Sequence, residues 1–113
     1  MRITTDEVHG IRVVACIGSM TLGEGAEELE LPFERALDQA GRGIVLDLTR
    51  LRYLDSAGIG AVIACSKKAA AKGTVLRVAL APSGPVRRIF ELTQLERGFE
   101  IFNDADSAAA SFS

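Results

Sequence analysis

Leu54-Asp55-Ser56-Ala57-Gly58-Ile59-Gly60, together with the preceding apolar run Ile44-Val45-Leu46-Asp47-Leu48, decides how this chain folds. The apolar run is typical of a strand that is buried on both faces of a parallel sheet. The small residues after Ser56 predict a helix, which places the Ser56 hydroxyl at or beside its N-cap. Free backbone N–H groups and the positive end of the helix dipole favour an anion at such a position, so a phosphate group could be accommodated there.

The residues on the amino-terminal side predict a hairpin and one helix. Residues 2–8 and 11–17 are rich in β-branched and apolar side chains and flank a tight turn at His9-Gly10, which predicts two antiparallel strands. A helix then begins near Leu31 or kinks there, because an interior Pro32 loses a backbone hydrogen bond and clashes with the preceding turn, and Gly41 and Gly43 end it. Its apolar residues recur at helical spacing: Leu29, Phe33, Ala36, Leu37 and Ala40.

On the carboxyl-terminal side, helices and strands alternate. A helix over residues 56–72 ends at Gly73, and residues 75–80 form the next strand. A third helix opens at Pro82-Ser83-Gly84-Pro85, residues 99–102 form a short strand, and Asp104 caps a last helix over 104–111. The predicted core faces of the second and third helices are Ile59, Val62, Ile63 and Ala70, and Val86, Ile89 and Phe90.

The resulting order, β-β-α-β-α-β-α-β-α, predicts a single α/β domain over residues 1–113. We expect a mixed, mostly parallel sheet with an antiparallel hairpin at one edge, the strand 44–48 at the centre, and crossover helices packed on the sheet. A chain of 113 residues with 48% apolar content can bury one proper core without disulfides.

Composition excludes several classes of function. A net charge of -2 and scattered Lys and Arg give no basic patch for nucleic acid, and no apolar run approaches the about 18 residues of a membrane span. Cys16 and Cys65 lack the spacing of a metal or redox site and are predicted to be buried, unpaired side chains. Two such cysteines, in a sequence without a basic and apolar leader pattern, indicate a cytoplasmic protein. His9 has no partner at ligand spacing, so we expect neither a metal nor a cofactor.

In addition to these patterns, the chain resembles the STAS family, and within it the stand-alone bacterial anti-sigma factor antagonists. The resemblance covers nearly the whole chain. It depends on the strand 44–48, the segment 53–60 with its Asp55-Ser56-Ala57-Gly58 core, Lys72-Gly73, and the stretches 86–93 and 99–102.

The resemblance implies a binding protein that is itself a kinase substrate rather than an enzyme. In the family, the serine of this segment, by position Ser56, is phosphorylated by a GHKL-type partner that is both serine kinase and anti-sigma factor. The unphosphorylated form captures that partner and frees a sigma factor, and a PP2C-type phosphatase restores it. We expect a monomer or weak dimer; the alternative is a STAS scaffold or regulatory module outside sigma-factor control.

The loop after the second strand departs from the family pattern. Where relatives often have G-x-L-D, this chain has Gly18-Ser19-Met20-Thr21, so the loop either changes the choice of partner or shifts the acidic role from the missing aspartate to Glu24. Both residues are assigned to the predicted partner-binding set, which also contains Asp55, Ser56, Ala57, Gly58 and Gly60.

Four of these residues also have a purely structural interpretation. Ser56 could be only an N-cap, and Asp55 is either a partner for the hydroxyl or the kinase's metal-nucleotide, or a solvated loop carboxylate. Gly58 and Gly60 each cost up to about 1 kcal/mol in a helix, which indicates close approach by the sheet or by a kinase loop.

Catalytic functions fit the sequence poorly. A hydrolase nucleophile at Ser56 would need the first glycine of G-x-S-x-G and a nearby histidine, and the only histidine is His9. A nucleotide site would need a P-loop or G-x-G-x-x-G after a strand, whereas Gly58 and Gly60 alone give only G-x-G.

Overall fold

The computed structural model describes residues 1–113 as one mixed sheet with helices on both faces. The strands run in the spatial order β1-β2-β3-β5-β6, with β4 paired to the far end of β2. Only β1 is antiparallel to its neighbour, and β3 lies at the centre, so the predicted α/β architecture is confirmed. The strand bounds are β1 Arg2–Val8, β2 Ile11–Met20, β3 Gly43–Asp47, β4 Leu51–Leu54, β5 Val75–Ala79 and β6 Ile101–Phe102.

Four helices cover the sheet unequally. Helices α1 Glu30–Asp38, α2 Ser56–Ala71 and α3 Pro85–Leu92 share one core of 21 buried residues, whereas α4 Ala105–Ala110 covers a smaller cluster on the opposite face. Short 3-10 turns at Glu27–Leu29 and Leu95–Gly98 complete the chain.

The predicted start of the first helix is confirmed to within one residue. Pro32 is tolerated because it lies in the first turn of α1, where its missing N–H would have had no partner within the helix. The predicted apolar face of this helix is also confirmed, because Leu29, Phe33, Ala36, Leu37 and Ala40 are all buried.

The hairpin turn at His9-Gly10 is confirmed, but β2 is longer than predicted. It continues to Met20, with an irregularity between Gly18 and Ser19 that lets its last residues pair in parallel with β4, a strand the sequence did not indicate. Met20 faces Leu54 in this pairing. The end of β2 is therefore held beside the start of α2, which follows β4 directly.

The predicted core face of α2 was partly wrong. Val62 is buried as expected, Ile59 and Ile63 are only half-buried, and Ala70 is exposed. The buried stripe is formed instead by Gly58, Val62, Cys65 and Ala69, because the small residues lie closest to the sheet.

Two further residues, Gly43 and Arg87, have structural roles that the sequence did not indicate. Gly43 belongs to β3 rather than to the end of α1, and a Cβ there would lie 2.4 Å from the Phe112 ring. The Arg87 guanidinium is half-buried; its Nε donates to the carbonyl of Ala81 at 2.9 Å and its Nη2 to the Asn103 side chain at 3.0 Å. Arg87 thus ties α3 to the carboxyl end of β5 and to the segment after β6.

Both cysteines are free and buried, as predicted. Burial raises the pKa of the Cys16 thiol, and likewise the pKa of the Cys65 thiol, to about 12. None of the four helices is long and apolar enough to cross a bilayer.

Candidate functional site

Ser56 is the first residue of α2, and its side chain is exposed. The N-cap is the preceding residue, Asp55, whose backbone is extended and whose side chain accepts the Gly58 N–H. The interpretation of Ser56 as the capping residue was therefore wrong. Because another side chain caps the helix, the Ser56 hydroxyl is free to serve a different purpose at the positive end of the helix.

The Asp55 carboxylate joins two separate segments of the chain. Its Oδ1 accepts the Gly58 N–H at 3.0 Å, and its Oδ2 accepts the N–H of Leu22, in the loop after β2, also at 3.0 Å. In addition, the Asp55 N–H donates to the Met20 carbonyl at 3.3 Å.

These contacts also set the charge of the carboxyl group. The hydrogen bond from the Leu22 N–H, followed by that from Gly58, stabilises the charged form and lowers the pKa of Asp55 below its ordinary 3.8. Asp55 is thus not a merely solvated loop carboxylate. Its role as helix cap and loop anchor could be anticipated only in part, since the Asp-Ser pair indicates a cap but not the contact with Leu22.

The loop after β2 is a tight, closed turn. The Thr21 N–H donates to the Glu24 carbonyl at 2.8 Å, and the Glu24 N–H donates back to the Thr21 carbonyl at 3.0 Å. The Thr21 hydroxyl also donates to the Glu24 carbonyl, at 3.2 Å. Through Leu22, this turn is fixed to Asp55, so the structure brings the predicted residues Thr21 and Glu24 to the same end of the domain as Ser56.

The two glycines of the segment have different surroundings. A Cβ on Gly58 would lie 2.2 Å from the Met20 carbonyl oxygen and 2.8 Å from the Leu54 Cβ, so packing against the ends of β2 and β4 requires glycine. A Cβ on Gly60 would meet no atom within 4 Å. Gly60 is exposed, and since it lies four residues after Ser56 it shares the outward face of the helix with that hydroxyl. Ala57, which lies between Ser56 and Gly58 in the sequence, is half-buried.

The surface around the turn is acidic. Glu24, Glu27 and Glu28 are exposed; Glu27 accepts the Gly23 N–H at 3.1 Å, and Glu28 lies 4.0 Å from the terminal amine of Met1. The Glu24 carboxylate has no hydrogen bond or ion pair within the chain. No group of three or more His, Cys, Asp or Glu side chains is arranged to hold a metal ion.

The structure is that of a single α/β domain with a mixed sheet, in which an exposed serine directly follows the aspartate that caps α2. A model of the STAS domain matches residues 2–108. The chain belongs to the STAS domain family. It is 33% identical over 113 residues to "Putative anti-sigma factor antagonist BtrV" of Bordetella bronchiseptica, an alignment covering 99% of this chain and 95% of that protein.

Solved structures show the same fold. An anti-sigma factor antagonist from Mycobacterium paratuberculosis superposes with a TM-score of 0.85 over 97% of this chain and 92% of its own, at 24% identity. The Bacillus cell fate determinant SpoIIAA in its phosphorylated form superposes with a TM-score of 0.67 over 99% of this chain and 100% of its own, at 20% identity.

Proposed function

We propose that this protein is an anti-sigma factor antagonist that binds an anti-sigma factor with serine kinase activity and is switched off by phosphorylation at Ser56. The observation that carries the proposal is the exposed Ser56 hydroxyl at the first position of α2, left free because Asp55 caps the helix. Its relatives support the same interpretation, since BtrV and the Mycobacterium paratuberculosis protein are both named as anti-sigma factor antagonists. In this scheme the protein is a substrate and a ligand, and a PP2C-type phosphatase restores its binding form.

The domain itself can tolerate a phosphate at this position. A phosphoserine carries about -1.5 to -2 charges at pH 7. The helix N-terminus attracts that charge, whereas the neighbouring Asp55 carboxylate repels it, so the two effects oppose each other within the free protein. No rearrangement of the sheet or of α2 is needed.

The main effect falls on the complex. A partner that covers Ser56 would have to remove water from a dianion, and burying an unpaired charge costs several kcal/mol. The acidic turn beside Ser56, with Glu24 unpaired, offers no cation to offset the new charge. A cost of only about 3 kcal/mol already weakens binding more than about 100-fold, which is enough to separate a binding form from a non-binding one.

The test uses the GHKL-type serine kinase of the same genome, radiolabelled ATP, and three forms of the protein: wild type, Ser56→Ala and Ser83→Ala. Ser83 is a matched control because it is also exposed and lies in the loop before α3. We expect label on wild type and Ser83→Ala but none on Ser56→Ala, and we expect all three unlabelled forms to bind the kinase alike in titration calorimetry.

The labelled and unlabelled forms of wild type then measure the switch. Loss of binding by more than about 100-fold upon labelling supports the antagonist. Binding without phosphate transfer, or binding that the phosphate leaves unchanged, would instead assign the protein to the STAS scaffolds outside sigma-factor control.

A further inference from the structure

Leu22 is the most exposed large apolar side chain of the protein, with 75% of its surface accessible. Single exposed leucines are common on protein surfaces and need no explanation by themselves. Leu92, on α3, is exposed to 70%. What distinguishes Leu22 is how its backbone is held and what it lies beside.

The turn that carries Leu22 is fixed by its own hydrogen bonds. The Leu22 N–H donates to the Asp55 carboxylate at 3.0 Å, and the next N–H, of Gly23, donates to Glu27 at 3.1 Å. The backbones of Thr21 and Glu24 close the turn on either side. A loop that is ordered before binding loses less conformational entropy when a partner docks. Because the backbone of this turn is already fixed, Leu22 can bind at a small entropic cost.

Asp55 both anchors this turn and caps α2, the helix that begins at Ser56. Asp55 contacts Leu22 through one carboxylate oxygen and Gly58 through the other, and Ser56 follows it directly. A protein that covers the Ser56 hydroxyl therefore meets the Leu22 turn on the same end of the domain.

We infer that Leu22 is an apolar anchor of the partner surface, inserting into an apolar pocket of the anti-sigma factor beside the site that reaches Ser56. This inference rests on the proposed function. Glu24 is exposed without a counter-ion in this chain, so we expect the rim of that pocket to carry one basic side chain, which pairs with Glu24 and is therefore not available to a phosphate on Ser56. A second copy of this chain is a poor occupant, because a two-fold contact would place the acidic turns of both copies against each other.

The test compares Leu22→Ala with Leu92→Ala, a control of nearly equal exposure on a different element. Binding to the kinase is measured by titration calorimetry, and the unfolding of each variant by urea. Leu22→Ala is expected to weaken binding by about 10- to 100-fold, in the range of a central apolar contact, and Leu92→Ala by less than about twofold. Because both side chains are exposed, both variants should unfold as wild type does.

Asp55→Ser tests whether the anchor of the turn contributes to binding through Leu22, since serine can still cap α2 but is too short to hold the Leu22 N–H as well. We expect Asp55→Ser to weaken binding, and the double variant with Leu22→Ala to lose less than the product of the two single losses. Wild-type affinity in Leu22→Ala would overturn the inference while leaving the proposed function intact. A wild-type protein that neither binds the kinase nor accepts phosphate would overturn both.

Discussion

Gly58 and Gly60 lie two residues apart in α2, yet replacing each by alanine should move stability in opposite directions. At Gly60 the new methyl group meets nothing within 4 Å, so only helix propensity changes, and Gly60→Ala should stabilise the protein by up to about 1 kcal/mol. At Gly58 the new Cβ would lie 2.2 Å from the Met20 carbonyl oxygen, whereas non-bonded heavy atoms normally stay about 3.5 Å apart.

Relieving that contact requires α2 to move by about 1 Å from the ends of β2 and β4, because the atom it meets is backbone. Overpacking of this kind costs about 3 kcal/mol, and after the propensity gain of about 1 kcal/mol the net loss is about 2 kcal/mol. At about 4 °C per kcal/mol, the melting temperature of Gly58→Ala should fall by about 8 °C, and that of Gly60→Ala should rise by about 4 °C.

Urea unfolding followed by circular dichroism, with thermal melts on the same samples, measures both values. Each variant is the control for the other, since the chemical change and the helix are identical. Equal stabilities for the two variants, or a Gly58→Ala protein as stable as wild type, would refute the close approach of α2 to Met20 on which the site geometry depends.

Two further predictions concern titratable groups. Because the folded-state pKa of Asp55 is lowered, its ionisation stabilises the fold above its ordinary pKa of 3.8, and this contribution is lost as pH falls through the lower folded value. Melting temperatures of wild type and Asp55→Asn should therefore differ at pH 7 and pH 5 and converge towards about pH 2; a constant gap would contradict the charge-based stabilisation. Cys16 and Cys65 are 0% and 3% exposed, and burial raises the pKa of both thiols to about 12. A thiol reagent such as DTNB at pH 8 should therefore label them only in denaturant. Rapid labelling of the native protein would contradict this prediction.

The sequence predicted most of the fold because its periodic patterns coincide with buried faces. The four apolar residues of the run 44–48 are all buried, and the helix containing Phe33 and Leu37 buries its apolar residues at the predicted spacing. The sequence did not reveal β4. In this strand Leu51 and Leu54 are buried and the two residues between them are exposed, so it lacks the alternation that marks a strand. Pairing with the end of β2 creates this strand, and such a long-range contact leaves no local pattern.

The α2 face was misjudged for a related reason. Sequence patterns favour large apolar residues such as Ile59 and Ile63 as the core, but α2 lies so close to the sheet that Gly58 and Cys65 occupy the contact instead. Size rather than hydrophobicity decides which face packs when backbones approach closely.

The candidate site was predicted as a set of residues but not as an arrangement. Asp55 and Ser56 are adjacent in sequence, and either could have capped the helix; only the structure shows that aspartate does so and leaves the serine free. The contact between Asp55 and Leu22 joins positions 33 residues apart, so no local signal could have shown it.

The two glycines show how one short motif combines separate requirements. Gly58 is explained fully by packing, since a side chain there would collide with β2 and β4. Gly60 has no such explanation: it lowers helix stability, a Cβ added to it would meet no atom within 4 Å, and it shares the outward face with Ser56. A residue that lowers the stability of the free protein without a packing gain fits the proposed function, in which a partner approaches the helix surface beside Ser56.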